Sequence, residues 1–112
     1  LSGEYYKHAI DIVNSKISNP VFYIYSDDEA WASSLFSASN AVFVSGKKTE
    51  THYEDFYLMS QCKHNIIANS SFSWWAAWLN NNPDKIVIAP KKWFNDGPED
   101  TQDILPAGWI KI

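Results

Sequence analysis

Five consecutive residues, Asn69-Ser70-Ser71-Phe72-Ser73, set an amide and three hydroxyls between an apolar run and a Trp-rich run. If they form the turn from a buried strand into a helix, two chemistries are open. Free backbone amides at the helix start, reinforced by the helix dipole, favour a phosphate or diphosphate. Alternatively, Ser70 or Ser71 only caps the helix by accepting a bond from an amide further along. The triplet Asn69-Ser70-Ser71 also spells a glycan acceptor, a role for which a strand-to-helix turn is poorly suited.

Two acidic pairs follow the same logic. Asp27-Asp28, after an apolar run, could accept hydrogen bonds from a ribose or base, could bind a metal as adjacent carboxylates, or could cap a helix beside a solvated neighbour. Glu54-Asp55 fall where a helix begins, and the dipole favours carboxylates there without any function. His8, His52 and His64 do not fall at metal-ligand spacing with one another, and Cys62 lies too close to His64 for a finger-like pair, so no metal is expected. Trp74, Trp75 and Trp78 recur at helical spacing; sugar stacking is one use of them, and core packing is the expected one in a small domain. No Ser, His and Asp pattern and no nucleophile elbow is present.

These residues have to be positioned by alternating helices and strands. Tyr6, Ala9, Ile10, Val13 and Ile17 make one stripe of an amphipathic helix from Glu4, opened by Ser2 and Gly3 and stopped by Asn19-Pro20. Val21 to Tyr25 is a β-branched and aromatic run that reads as a buried strand, and Asp27 or Asp28 would cap a short helix through Leu35. Ala41 to Val44 reads as a second strand before the turn Ser45 to Lys48. Tyr53, Phe56, Tyr57 and Ser60 then share a helix face, and Asn65 to Ala68 is strand-like. Phe72, Trp75, Ala76 and Leu79 mark the next helix, which Asn80-Asn81-Asn82-Pro83 ends before a strand from Lys85 to Ala89. Trp109 to Ile112 suggests a last short strand or an extended packed segment.

Apolar strands separated by helices predict an α/β fold, an open Rossmann-like parallel sheet flanked by helices on both faces. Ligands in such sheets bind beyond the carboxyl ends of the strands. Functional residues are therefore expected at Ser26 to Asp28, Val44 to Lys48, Asn69 to Phe72 and Pro90 to Trp93.

Composition narrows the classes further. The 112 residues, 46% hydrophobic and 16% aromatic, fit one domain over residues 1–112 with a core built from few large side chains. A net charge of -4 with dispersed basic residues leaves no electrostatic footprint for nucleic acid. All 9 basic residues are Lys, so an anionic ligand has to be held by backbone amides, Lys or a group from elsewhere. The lone Cys62 reads as a small buried hydrophobe compatible with a reducing compartment. No apolar run approaches the roughly 20 residues of a membrane span, and a first residue of Leu1 rather than Met leads us to expect a piece trimmed from a longer chain.

Three strings together resemble the alpha-1,2-fucosyltransferases: Phe22 to Asp28 (FYIYSDD), Asp55 to Ser60 (DFYLMS), and His64 to Trp75 (HNIIANSSFSWW). Lys85 to Pro90 with Lys91-Lys92-Trp93, and the closing Trp109-Ile110, extend the similarity over essentially the whole chain. The resemblance implies part of the carboxy-terminal donor-binding domain of a GT-B-type, metal-independent and cofactor-free enzyme. It moves L-fucose from GDP-fucose to the 2-hydroxyl of a galactose-containing acceptor glycan, with inversion. By position in the family's motifs, Asp55 is the carboxylate that pairs with guanine. Asn69, Ser70, Ser71 and Phe72 lie at the diphosphate turn, and Asp27 and Asp28 are further contacts on the nucleoside side.

One departure is large. Fucosyltransferases of this kind carry an upstream His-x-Arg-Arg-Gly-Asp motif whose arginine neutralises the leaving group, and a chain without Arg cannot contain it. The resemblance thus implies a missing amino-terminal domain as partner and an isolated chain that does not turn over. A bacterial cytoplasmic or inner-membrane-peripheral enzyme is expected, or a Golgi one if the source is an animal. The competing expectation is a non-catalytic carbohydrate-binding or interaction module with several of Trp74, Trp75 and Trp78 at its surface.

Overall fold

Helix α1 (Gly3–Lys16) ends where chemistry forces it to: Asn19 takes a left-handed φ of 54°, and Pro20 cannot donate to a continuing helix. The computed structural model describes residues 3–26, 29–35, 40–45, 51–91, 93 and 105–112. The further elements are β1 (Phe22–Ile24), α2 (Glu29–Leu35), β2 (Ala41–Phe43), α3 (His52–Gln61), β3 (Asn65–Ile66), α4 (Ser71–Trp78), β4 (Val87–Ala89) and β5 (Ile110–Lys111). The chain falls into two compact units, Ser2–Asp55 and Phe56–Ile112.

In the first unit β1 and β2 pair in parallel, Phe22 opposite Ala41 and Ile24 opposite Phe43. Val44 N–H extends this ladder to the Ile24 carbonyl at 2.9 Å. Helix α1 packs on α2 and buries Tyr5, Ala9 and Val13, a stripe one position earlier than the periodicity predicts at its start. Tyr6 instead leans sideways, edge-on to Tyr5 at 4.9 Å and to Trp31 of α2 at 5.6 Å. Burial pushes both phenols above their usual pKa, and for Tyr5 the neighbouring Tyr6 adds to that effect. The run Val21 to Tyr25 that contains β1 is not buried throughout as expected, because Val21 and Tyr23 are each more than half exposed while Ile24 is buried.

In the second unit β3, β4 and β5 form a parallel sheet in that order, with Asn65 opposite Val87 and Ile88 opposite Ile110. The central strand is buried along its whole length, as a parallel strand covered on both faces requires. Ile67, Ala77, Val87, Ala89, Leu105 and Trp109 form the core cluster, with Trp74 and Trp93 packed against it. The predicted final strand is present as β5, and Lys91 N–H donates to the Ile112 carbonyl at 2.7 Å beyond it. The α/β class with parallel strands flanked by helices thus holds, the described strands forming two hydrogen-bonded sheets of two and three strands.

Two helices turn inward a face that only partly overlaps the one their periodicity suggests, Ala76 of α4 and Ser60 of α3 being common to both. In α4 the buried residues are Ser73, Ala76 and Ala77, whereas Phe72, Trp75 and Leu79 of the expected stripe are 38%, 50% and 48% exposed. Small side chains let the helix approach closely. The large ones are left outside, and of the three tryptophans expected in the core only Trp74 packs against it. In α3 Tyr53 and Tyr57 are exposed, and the buried positions are Asp55, Met59 and Ser60.

A polar hub ties the entrances of β3 and β4 to the helix ends. Asn80 Nδ2 donates to the Asn65 Oδ1 at 2.8 Å and to the Cys62 carbonyl at 2.7 Å, while Asn65 Nδ2 donates to the Met59 carbonyl at 2.8 Å. Lys85 Nζ donates to the carbonyls of Ala77 and Asn80, at 2.9 and 3.0 Å, placing a cation on the negative end of α4. Ile86 N–H donates to His64 Nδ1 at 2.9 Å. Among the described residues no buried side-chain polar atom lacks a partner.

Candidate functional site

In the first unit the chemistry collects at the carboxyl end of the β1–β2 pair. Thr51 precedes α3, and its hydroxyl accepts from Glu54 N–H at 3.2 Å. The Glu54 carboxylate in turn accepts from the Thr51 N–H and hydroxyl, both at 3.2 Å. This reciprocal capping box explains Glu54 as a structural residue, as the dipole argument anticipates. Asp55, the next residue, turns inward and is only 7% exposed. Ser45, just past β2, donates to Asp55 Oδ2 at 2.7 Å. The bond donated by this hydroxyl orients the side chain of Asp55. Ser45 lies in the loop expected to carry function, although nothing in the sequence singles it out.

Asp27 and Asp28, which follow β1 in sequence, lie outside the described residues, as do Lys47, Lys48 and Lys92.

In the second unit the turn after β3 is wired tightly. Ser70 is the N-cap of α4 with extended backbone, φ -135° and ψ 144°, and its Oγ accepts from Ser73 N–H at 3.2 Å. Its Oγ also lies 2.8 Å from Ser73 Oγ, which in turn donates to the Ala68 carbonyl at 3.1 Å. Ser70 and Ser73 are thus committed to the turn itself. Asn69 Nδ2 donates to the Trp93 carbonyl at 3.1 Å, which fastens the turn after β3 to the segment after β4 at the same edge of this sheet.

Ser71 stands apart from its neighbours. It is exposed at the first position of the helix, and its hydroxyl makes no hydrogen bond among the described residues. The first amides of a helix carry no intrahelical bond, so the Ser71 amide and hydroxyl are the groups of this turn available to an anion. Phe72 sits beside it, part exposed and edge-on to Phe56 at 5.5 Å. Of the five residues read as an anion turn, then, Ser70 caps, Asn69 and Ser73 brace, and Ser71 and Phe72 face outward. Among the described residues no group of three or more His, Cys, Asp or Glu is placed to hold a metal ion, and no helix is long and apolar enough to cross a membrane.

The sequence profile of glycosyl transferase family 11 matches residues 2–112. The chain belongs to that family. It is 41% identical over its full length to the O-antigen biosynthesis glycosyltransferase WbnK of Escherichia coli, and spans 37% of that protein. It is likewise 41% identical, over 96% of its length, to an alpha-1,2-colitosyltransferase of Escherichia coli, spanning 38% of it. Identity to the mouse galactoside 2-alpha-L-fucosyltransferase Sec1 is 32% over 76% of the chain and 23% of the mouse protein. The chain therefore covers less than two fifths of the length of these relatives. No solved structure matches it.

Proposed function

We propose that this chain is the GDP-fucose-binding portion of an inverting, metal-independent alpha-1,2-fucosyltransferase acting on galactose-containing glycans. The family match across residues 2–112 carries the reading, and the galactoside fucosyltransferase named among the relatives supports its finer terms. Asp55, oriented by Ser45, accepts from the N–H edge of guanine. The Ser71 amide and hydroxyl, beside Phe72, bind the diphosphate, with Ser70 and Asn69 fixing the turn. Asp27 and Asp28 complete the nucleoside side.

In the reaction the acceptor 2-hydroxyl displaces GDP from the anomeric carbon, the sugar–phosphate bond breaking as the new glycosidic bond forms on the opposite face. Negative charge grows on the departing diphosphate, and a turn that offers neutral donors stabilises it only in part. Loss of one preorganised contact of this kind costs about 3 kcal/mol of barrier. The 112-residue chain, which contains no Arg, is accordingly inactive alone and acts with the remainder of a family 11 enzyme, in the bacterial cytoplasm or at its inner membrane, or in the Golgi if the source is an animal.

The test is a titration of the ¹⁵N-labelled chain with GDP, ADP and UDP followed by NMR. GDP alone should move the amides of Asp55 and Ser71. An equal response to all three nucleotides, or none, would overturn the reading. A colitosyltransferase among the relatives makes the transferred sugar the second point to test, by comparing GDP-fucose with GDP at the same amides. The half-exposed rings of Trp75 and Trp78 favour, as a second reading, a surface that binds carbohydrate without nucleotide.

A further inference from the structure

At the carboxyl end of α4, away from the turn just described, the second unit holds an open cavity of about 640 Å³. Its lining includes Trp78, Asn81, Asn82, Lys85, Gly108 and Trp109. We propose that this cavity is a binding site for a neutral saccharide, with the Trp78 indole as its stacking platform.

The first argument is rigidity. Trp78 is 51% exposed, yet its ring is not loose: it stacks on Trp74 with centroids 5.4 Å apart and planes 8° from parallel. Trp74 is itself held edge-on by Trp75 at 4.9 Å and tilted against Trp109 at 5.9 Å, with Trp109 buried in the core. An indole fixed on one face and solvated on the rest offers an apolar plane to the C–H face of a pyranose at little entropic cost, and its N–H serves as a polar handle.

The second argument is charge. The cationic group on the rim, Lys85, spends its ammonium on the carbonyls of Ala77 and Asn80. Asn80 and Asn82 are occupied too, Asn82 Nδ2 donating to the Lys63 carbonyl at 2.8 Å and its Oδ1 accepting from Asp84 N–H at 3.1 Å. Asn81 is exposed and has no hydrogen-bond partner among the described residues, so its amide remains for a ligand hydroxyl. A site with an aromatic plane, an uncommitted amide and no uncommitted cation selects an uncharged polyol over a phosphate.

The third argument is room. A β-carbon added at Gly108, in the cavity lining, would meet nothing within 4 Å, so this part of the lining leaves space for a ligand. Helix α4 has 8 residues and is about 12 Å long. A saccharide at Trp78 therefore leaves Ser71, at the other end of the helix, unobstructed.

The proposal is tested with lactose and maltose on the ¹⁵N-labelled chain, without nucleotide, by following the tryptophan indole N–H signals. A saturable shift at Trp78 and Trp109 is expected, lost in Trp78→Ala and weakened at least about tenfold in Gly108→Leu, which fills the cavity. Gly108→Leu is the control for folding, since its side chain enters open space and the remaining indole signals should stay in place. Absence of any saturable shift, or a shift that survives both substitutions, overturns the proposal. So does saturation of the cavity by a proline-rich decapeptide with no response to either sugar. The GDP response at Ser71 is read in the same samples, so failure of the donor reading and failure of this one are separate results.

Discussion

Asn80 and Asn65 meet side chain to side chain at 2.8 Å, both buried, and between them they satisfy the carbonyls of Cys62 and Met59 at the end of α3 and just beyond it. The pair joins the entrance of β3 to the exit of α4. Removing one partner would strand polar groups in a low-dielectric setting rather than simply delete a bond.

We therefore expect Asn80→Ala to lower stability by about 1–3 kcal/mol in urea unfolding. Because the two share one bond, the double variant Asn65→Ala/Asn80→Ala should lose less than the sum of the single changes. Strict additivity would show that the two amides act independently.

The capping box at α3 gives a smaller, local effect. Thr51→Ala should cost about 1 kcal/mol, and Thr51→Ser should restore most of it, since the hydroxyl does the capping. Amide exchange across His52 to Asp55 is the measurement. Unchanged protection in Thr51→Ala would remove the cap from the account.

Under the proposed function Asp55→Asn keeps the shape of the side chain but replaces half of its acceptors by a donor. The expected loss is about 1.5–3 kcal/mol of GDP binding, roughly tenfold to over a hundredfold. Ser45→Ala should weaken GDP by less, because it removes one orienting bond and keeps the carboxylate. Calorimetry with GDP and ADP checks both, and retention of guanine preference in Asp55→Asn would refute the assigned role.

Alkaline pH should unfold the first unit through Tyr5. Its pKa is raised in the folded state by burial and by Tyr6, so folding favours the neutral phenol. The associated stability is whole below the unfolded tyrosine pKa of about 10 and declines above it, by at most about 1.4 kcal/mol per pH unit for this phenol. Tm measured by circular dichroism from neutral pH upward should turn down more steeply in the parent than in Tyr5→Phe. Parallel curves would contradict the assignment.

The element order was legible because turn formers and apolar runs are local signals. Asn19-Pro20 stops α1, Ser70 caps α4, and the apolar run Val87 to Ala89 makes a fully buried strand. The inward faces of α3 and α4 were legible only in part, at Ser60 and Ala76. In Phe72 to Trp78 apolar residues surround the helix, so periodicity cannot choose a side; the choice was made by Ser73, Ala76 and Ala77, whose size permits close approach to the sheet. The run Asn80 to Asn82 read as a helix terminator for the same reason, since its hydrogen-bond partners at Cys62, Lys63 and Asn65 are distant in sequence. At the candidate site the sequence located the turn from Asn69 to Ser73 but could not divide it into Ser70 and Ser73, which serve the fold, and Ser71, which faces out. Ser45 carried no mark at all, because a serine in a turn becomes notable only when Asp55 lies across from it.

Lys85 holds the carbonyls that close α4, so its amine is donated away on at least two sides. Acylating reagents need a free lone pair on that nitrogen, and their attack should fall first on lysines at exposed positions such as Lys7, Lys63 and Lys111. The slow acetylation of Lys85 in a mass-spectrometric footprint would then clock how often the junction between α4 and β4 comes apart.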